Sequence, residues 1–74
     1  RYEEAVLGFF LALHLDPEDP MPAYYAADCY IRTNNSEAAD DFLTLALDIA
    51  GENPLYMTLK ERCHLMQKSL NANK

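Results

Sequence analysis

The sequence predicts an all-α fold in which helical hairpins stack side by side as an α-solenoid. Three observations support this fold: apolar residues recur at helical spacing in four segments, Pro, Asn and Gly separate those segments, and the chain repeats itself at an offset of 34 residues. The matching pairs include Ala5 with Ala39, Leu11–Leu13 with Leu45–Leu47, Pro20 with Pro54, and Cys29 with Cys63. Because the offset is the same across helices and connections, helical periodicity alone does not explain it.

Length and composition allow one small domain with a thin hydrophobic core. The chain has 74 residues, of which 50% are hydrophobic and only 2 are Gly, which excludes collagen-like and disordered classes. No apolar run approaches the ~18 residues of a membrane span, so we expect no membrane insertion. The sequence opens at Arg1 inside a helical pattern, and we expect it to be a piece of a longer protein.

The charge is acidic and unevenly distributed. The net charge is −6, and residues 1–53 hold all the acidic side chains except Glu61. The basic residues of this part are only Arg1 and Arg32. The other four basic residues lie in residues 54–74 and are Lys60, Arg62, Lys68 and Lys74. An acidic body repels phosphate backbones, so we expect no nucleic-acid partner, and we expect the basic final segment to dock on the acidic body.

Local signals place the first two helices. The first helix is predicted from Tyr2 to Leu15, with Val6, Phe9, Phe10 and Leu13 at helical spacing, and Asp16-Pro17 ends it. The second begins at the Asp19-Pro20 pair, in which Asp19 acts as N-cap, and continues to about Thr33.

Similar signals place the last two helices. Asn34-Asn35 predicts a tight turn in a left-handed conformation, and Ser36 is the expected N-cap of the third helix, which Gly51 ends. Asn53-Pro54 is expected to start the fourth helix. Its apolar stripe is Leu55, Leu59, Cys63, Met66 and Leu70.

These four helices resemble the tetratricopeptide repeat. Its A-x3-F signature is matched by Ala5-x3-Phe9 and by Ala39-x3-Leu43, and Tyr30 holds an aromatic position of the repeat's first helix. The chain departs from the pattern at Ala23 and Gly51, where the family has a large aromatic and a proline. The resemblance implies about one and a half repeats plus a C-terminal helix. The chain is accordingly predicted to contain the second helix of a repeat (1–16), a complete repeat (20–53), a terminal helix (54–70) and a tail (71–74).

The segment from Asp19 to Tyr30 is similar to the third-repeat stretch of class II chaperones of bacterial type III secretion. In that group an acid-Pro pair leads through an aromatic-rich turn to Ala-Ala-acid-Cys, here Asp19-Pro20 and Ala26-Ala27-Asp28-Cys29. The flanks Arg1-Tyr2-Glu3-Glu4-Ala5 and Ser36-Glu37-Ala38-Ala39 agree, so the chain corresponds to the C-terminal half of such a chaperone. The resemblance implies a non-catalytic protein of the bacterial cytoplasm, linked to virulence, that keeps hydrophobic translocator proteins soluble.

Such chaperones bind an extended hydrophobic segment in the concave groove of the repeats. Stacked helix pairs curve so that first-type helices line a groove, which makes the second and fourth helices its walls here. The predicted peptide-binding residues are Met21, Tyr24, Asp28, Ile31, Arg32, Thr58, Arg62 and Leu65.

Two assignments within the groove follow from helical geometry. Tyr24 and Tyr25 point about 100° apart, so we assign Tyr24 to the ligand and Tyr25 to packing. Asp28 and Arg62 hold equivalent positions on neighbouring helices, which predicts either a surface ion pair or a polar clamp on the peptide.

Two other functions compete with this interpretation. An enzyme or metal site would use His14, Cys29, Cys63 or His64, but no zinc-ligand spacing is present and Cys63 and His64 project in different directions, so we expect neither catalysis nor a cofactor. Both cysteines are expected to be buried and reduced. A generic tetratricopeptide adaptor that captures acidic peptide tails is the alternative binding function. It would need several cations, and the complete repeat offers only Arg32 among its groove positions.

The first helix is expected to mediate self-association. In a monomer it would lack the helix that covers its inner face, which would expose Ala5, Val6 and Phe9. Exposed apolar stripes mark interfaces, so a homo-oligomer is predicted.

Overall fold

The computed structural model describes residues 2–72 and confirms the all-α fold of stacked helical hairpins. It contains α1 (Tyr2–Leu15), α2 (Met21–Arg32), α3 (Ser36–Ala50), a 3₁₀ turn (Pro54–Tyr56) and α4 (Met57–Ala72). Each helix packs mainly on the next one along the chain, in a body of 30 × 26 × 14 Å. Packing between sequence neighbours is the arrangement of a solenoid. None of the described helices is both long and apolar enough to span a bilayer.

The core consists mostly of small side chains. α2 contributes Ala23 and Ala27, and α3 contributes Ala46, all at most 1% exposed. Small residues let helix backbones approach closely, and Leu43 of α3 and Cys63 of α4 fill the space between them. Both cysteines are buried and free, as predicted.

The turn between α2 and α3 shows one confirmed signal and one correction. Asn34 has a φ of 60°, the left-handed conformation expected of this turn. The N-cap of α3 is Asn35, however, whose Oδ1 accepts a hydrogen bond from the Ala38 backbone N–H at 3.2 Å. The prediction of Ser36 as the cap was wrong because Asn35 is the last non-helical residue and Ser36 already belongs to the helix.

The connections on either side of this hairpin include a second corrected cap. The N-cap of α2 is Pro20 rather than the predicted Asp19, because the helix begins at Met21, although the Asp19 carboxylate still accepts from the Met21 N–H at 3.0 Å. Gly51 ends α3 with a φ of 53°. Asn53 caps the next segment by accepting from the Leu55 N–H at 3.0 Å.

The fourth helix differs from its prediction at both ends. Pro54–Tyr56 form a 3₁₀ turn, so α4 starts at Met57 and continues to Ala72, beyond the expected end near Leu70. The 3₁₀ turn changes the angular phase of the chain, and Leu55 is therefore 77% exposed rather than part of the core stripe. Leu59, Cys63, Met66 and Leu70 do face the core. Of the predicted tail, positions 73–74 lie outside the described residues.

The expected exposure of α1 is also corrected. Val6 is buried, since α2 packs over it, and Ala5 and Phe9 are half-buried. The exposed apolar residues are instead Leu7, Leu11 and Leu15 on the side that α2 does not cover, together with Tyr2 and Phe10. Phe10, one of the apolar residues at helical spacing in the sequence, is 46% exposed.

The basic final helix docks on α3 through hydrogen bonds. Lys60 Nζ donates to the Gly51 carbonyl at 2.6 Å, at the C-terminus of α3, where a helix dipole favours a cation. Gln67 donates to the Thr44 hydroxyl at 2.9 Å. Arg62 and Lys68 are exposed, and the ion pair found among residues 2–72 lies within α2. Of the basic residues of α4, Lys60 therefore docks the helix by capping the C-terminus of α3, and the docking does not rest on a set of ion pairs.

Candidate peptide-binding groove

α2 places its five predicted groove residues on one side of the helix. The opposite side is buried through Pro22, Ala26 and Cys29. Met21, Tyr24, Asp28 and Ile31 are half-buried and Arg32 is exposed. Helical geometry thus separates a packing side from a side that reaches solvent, and every predicted α2 residue lies on the latter.

α4 places its predicted residues in a second stripe. Leu59 and Cys63 face the core, and Thr58, Arg62 and Leu65 lie together on another side of the helix and are exposed. Leu65 is 67% exposed, which makes it a large accessible apolar group. The two stripes together make up the predicted groove, which is called the groove below. They consist of Met21, Tyr24, Asp28, Ile31 and Arg32 on α2 and of Thr58, Arg62 and Leu65 on α4.

The two adjacent tyrosines form one aromatic surface with Phe9. Tyr25 stacks on Phe9 with ring centroids 5.7 Å apart, and Tyr24 meets Tyr25 edge-on at 5.7 Å. Tyr24 also packs against the core, whereas Tyr25 remains 46% exposed. Tyr25, which was assigned to packing, is thus the more exposed of the two rings, and its packing is confined to Phe9 and Tyr24. The assignment of Tyr24 to the ligand stays a prediction. Tyr25 and Phe9 extend the apolar surface beside the groove.

The charged residues of α2 neutralise one another. Arg32 Nε donates to Asp28 Oδ2 at 3.1 Å, one helical turn apart. The hydrogen bond and the negative charge of Asp28 raise the pKa of Arg32. Asp28 is therefore paired within its own helix, which corrects the predicted pairing with Arg62. The cation of the complete repeat already has a carboxylate partner.

The residues considered for catalysis or metal binding do not converge. Cys63 is wholly buried, but its neighbour His64 is exposed on another side of α4. Burial raises the pKa of the Cys63 thiol. Burial also raises the pKa of Cys29, with a contribution from Asp28 that Arg32 opposes. Within residues 2–72 no three His, Cys, Asp or Glu side chains lie close enough together to hold a metal ion.

A cleft between α1 and α2 was not anticipated. It has a volume of about 260 Å³ and is lined by Tyr2, Glu3, Val6, Leu7, Phe10, Cys29, Tyr30 and Thr33. The 34-residue repeat held a signal for it, because the position equivalent to the apolar Phe10 is the polar Thr44. We call it the α1–α2 cleft.

The fold matches solved structures of a secretion chaperone. No protein-family model matches the chain, and no curated protein matches it in sequence. Two structures of SycD, the type III secretion translocator chaperone of Yersinia enterocolitica, superpose with TM-scores of 0.92 and 0.93 at 21% identity over 97% of this chain. The first contains a peptide of the translocator YopD. The match covers 55% and 50% of the SycD chains, so this chain spans about half their length.

Proposed function

We propose that this chain is a non-catalytic binding module of a bacterial translocator chaperone, working in the cytoplasm, and that its groove holds an extended hydrophobic segment. The observation that carries the proposal is the match in fold to SycD, which binds a translocator peptide. The resemblance of the segment from Asp19 to Tyr30 to the same class of chaperone supports it independently of the fold.

The chemistry of the groove favours an apolar ligand. Tyr24, Ile31 and Leu65 offer apolar surface, and the aromatic surface of Phe9 and Tyr25 adjoins it. Aromatic anchors contribute much of the binding energy in protein interfaces. An extended segment can place alternate side chains on such a surface, while Thr58 and Arg62 are available to its backbone.

The same geometry disfavours an adaptor that captures acidic tails. The carboxylate of a ligand would have to compete for Arg32 with the carboxylate of Asp28, because Arg32 Nε already lies 3.1 Å from Asp28 Oδ2. It would also approach a protein of net charge −6. Acidic C-terminal tails are therefore the weaker class of ligand.

A peptide array compares the two classes directly. One set carries hydrophobic internal segments, including the YopD peptide bound by SycD, and the other carries acidic C-terminal tails of matched length. We expect the hydrophobic set to bind and the acidic set not to. Because the chain spans about half of SycD, binding should be weak, with dissociation constants above about 10 μM. Preference for the acidic tails would contradict the proposal and favour the adaptor.

A matched pair of variants locates the binding site. Leu65→Lys replaces an exposed groove residue, and Leu55→Lys replaces an equally exposed leucine outside the groove. Leu65→Lys should weaken binding of the hydrophobic segments about tenfold, since it removes an apolar contact worth roughly 1.5 kcal/mol. Leu55→Lys should leave binding unchanged. Equal effects of the two variants, or nanomolar affinity that neither alters, would place the ligand elsewhere.

A further inference from the structure

We propose that the α1–α2 cleft is a second protein-binding site, which takes one apolar side chain of a partner segment with a Lys or Arg beside it. The cleft lies away from the groove. Tyr24 and Cys29 project from α2 about 140° apart, and Cys29 lines the cleft whereas Tyr24 belongs to the groove. A ligand in the groove therefore does not occupy the cleft.

The interior of the cleft offers apolar contacts and few polar ones. Its aromatic wall is continuous, because Phe42 meets Phe10 edge-on at 5.3 Å and stacks on Tyr30 at 5.5 Å. The hydroxyl of Thr33 already donates to the Tyr30 carbonyl at 3.2 Å. No buried side-chain N or O atom in residues 2–72 lacks a hydrogen-bond partner. Val6 and Phe10 offer no hydrogen-bond partner, so a polar group placed against them would lose its water without compensation.

The volume fits a single anchor residue. An apolar cavity of about 150 Å³ is large enough to bind benzene. The cleft, at about 260 Å³ and open to solvent, accommodates a Leu or Phe side chain. Such a side chain would contact Val6 and Phe10 on one side and Tyr30 on the other.

The equivalent place between α3 and α4 serves as an internal control. There Thr44 and Gln67 replace Phe10 and Thr33, and their side chains join in a hydrogen bond of 2.9 Å. The contact between α3 and α4 at this place is therefore a hydrogen bond between two polar side chains of the same chain. The open, apolar character of the α1–α2 cleft is therefore a property of its residues rather than of helix stacking in general.

The rim indicates what kind of molecule carries the anchor. Leu7, 68% exposed, continues the apolar surface beyond the cleft, and a peptide chain covers such a rim better than a small molecule does. Glu3 is the only charged residue of the lining and is itself exposed. The chain as a whole has a net charge of −6. Glu3 and this overall charge both favour a cation next to the apolar side chain that enters the cleft.

A titration followed by ¹H–¹⁵N NMR tests the site with the intact chain. The probe is the blocked pentapeptide Gly-Lys-Phe-Lys-Gly, compared with Gly-Lys-Ser-Lys-Gly and Gly-Glu-Phe-Glu-Gly. We expect saturable shifts at millimolar peptide in the amides of Leu7, Cys29 and Thr33. The serine peptide should bind at least about tenfold more weakly because it lacks the anchor. The glutamate peptide should bind roughly two- to fivefold more weakly because it loses the attraction to Glu3.

Two exposed variants and one control separate the contributions. Leu7→Ser should weaken binding of the lysine peptide severalfold. Glu3→Gln should reduce the difference between the lysine and glutamate peptides, and Leu55→Ser should do neither. Shifts that centre on Tyr24 and Leu65, or no saturable shift, would overturn the proposal. Saturation by p-cresol as tight as by the lysine peptide would also overturn it, since the site would then suit a small apolar molecule. The absence of a saturable shift, or tight binding of p-cresol, would leave the proposed function of the groove untouched, because the peptide array tests that function separately.

Discussion

The two glycines differ in what a side chain would meet. Gly51 ends α3 with a φ of 53°, a conformation that L-residues with a Cβ adopt at a cost of about 1–2 kcal/mol. Gly8 lies inside α1, and a Cβ added there would have no heavy atom within 4 Å. The same substitution should therefore act in opposite directions at the two positions.

Gly51→Ala should lower the free energy of unfolding by about 1–2 kcal/mol, and Gly8→Ala should raise it by roughly 0.5–1 kcal/mol, because alanine restricts the unfolded chain and favours helix. Urea unfolding followed by circular dichroism measures both changes, each against the unaltered chain. Destabilisation of both variants would contradict the prediction, because it would mean that a Cβ at position 8 meets other atoms of the protein.

Helix starts depend on single hydrogen bonds, and α3 offers two neighbouring candidates. Asn35→Ala removes the acceptor for the Ala38 N–H and should cost about 1 kcal/mol of unfolding free energy. Ser36→Ala is the matched control, since Ser36 is exposed and its hydroxyl caps nothing, and its effect should stay within about 0.5 kcal/mol. Thermal unfolding of the two variants ranks them, and a larger loss for Ser36→Ala would move the cap back to that residue.

The elements were predictable because their boundaries are local. Asn34 and Gly51 act within a few residues of themselves, and their turns lie where the sequence predicts them. Leu55 was misplaced because a 3₁₀ turn has three residues per turn rather than 3.6, which rotates it out of the core stripe. The sequence does not show which of the two helical geometries follows Pro54.

Relations between helices were harder to predict than the helices. Asp28 pairs with Arg32 rather than Arg62, because a partner one turn away on the same helix needs no tertiary arrangement to reach it. Val6 is buried because α2 lies over that side of α1, an orientation that periodicity within α1 does not determine. The α1–α2 cleft could not be predicted for the same reason, because it is formed by side chains from both helices.

The whole molecule leaves one side of its first helix uncovered. Leu7, Leu11 and Leu15 of α1 are 68%, 61% and 76% exposed and follow one another at successive turns. By the 34-residue repeat, Leu11 and Leu15 correspond to Leu45 and Ile49 of α3, which are partly buried against the core. Leu11 and Leu15 thus occupy positions that are covered elsewhere in the same molecule, whereas Leu7, whose equivalent Asp41 is exposed, borders the α1–α2 cleft.

Self-association of the 74-residue chain follows from this surface and stays a prediction about its solution state. We expect a concentration-dependent dimer at micromolar concentrations in sedimentation velocity, since burying one exposed leucine contributes about 1.5–3 kcal/mol. Leu11→Lys should shift the equilibrium towards monomer at least about tenfold, because a buried ammonium group is costly. Leu55→Lys adds the same charge to a leucine of the 3₁₀ turn and should leave the equilibrium unchanged. A monomer throughout the micromolar range would contradict the prediction, and a dimer equally sensitive to both variants would place the interface away from α1.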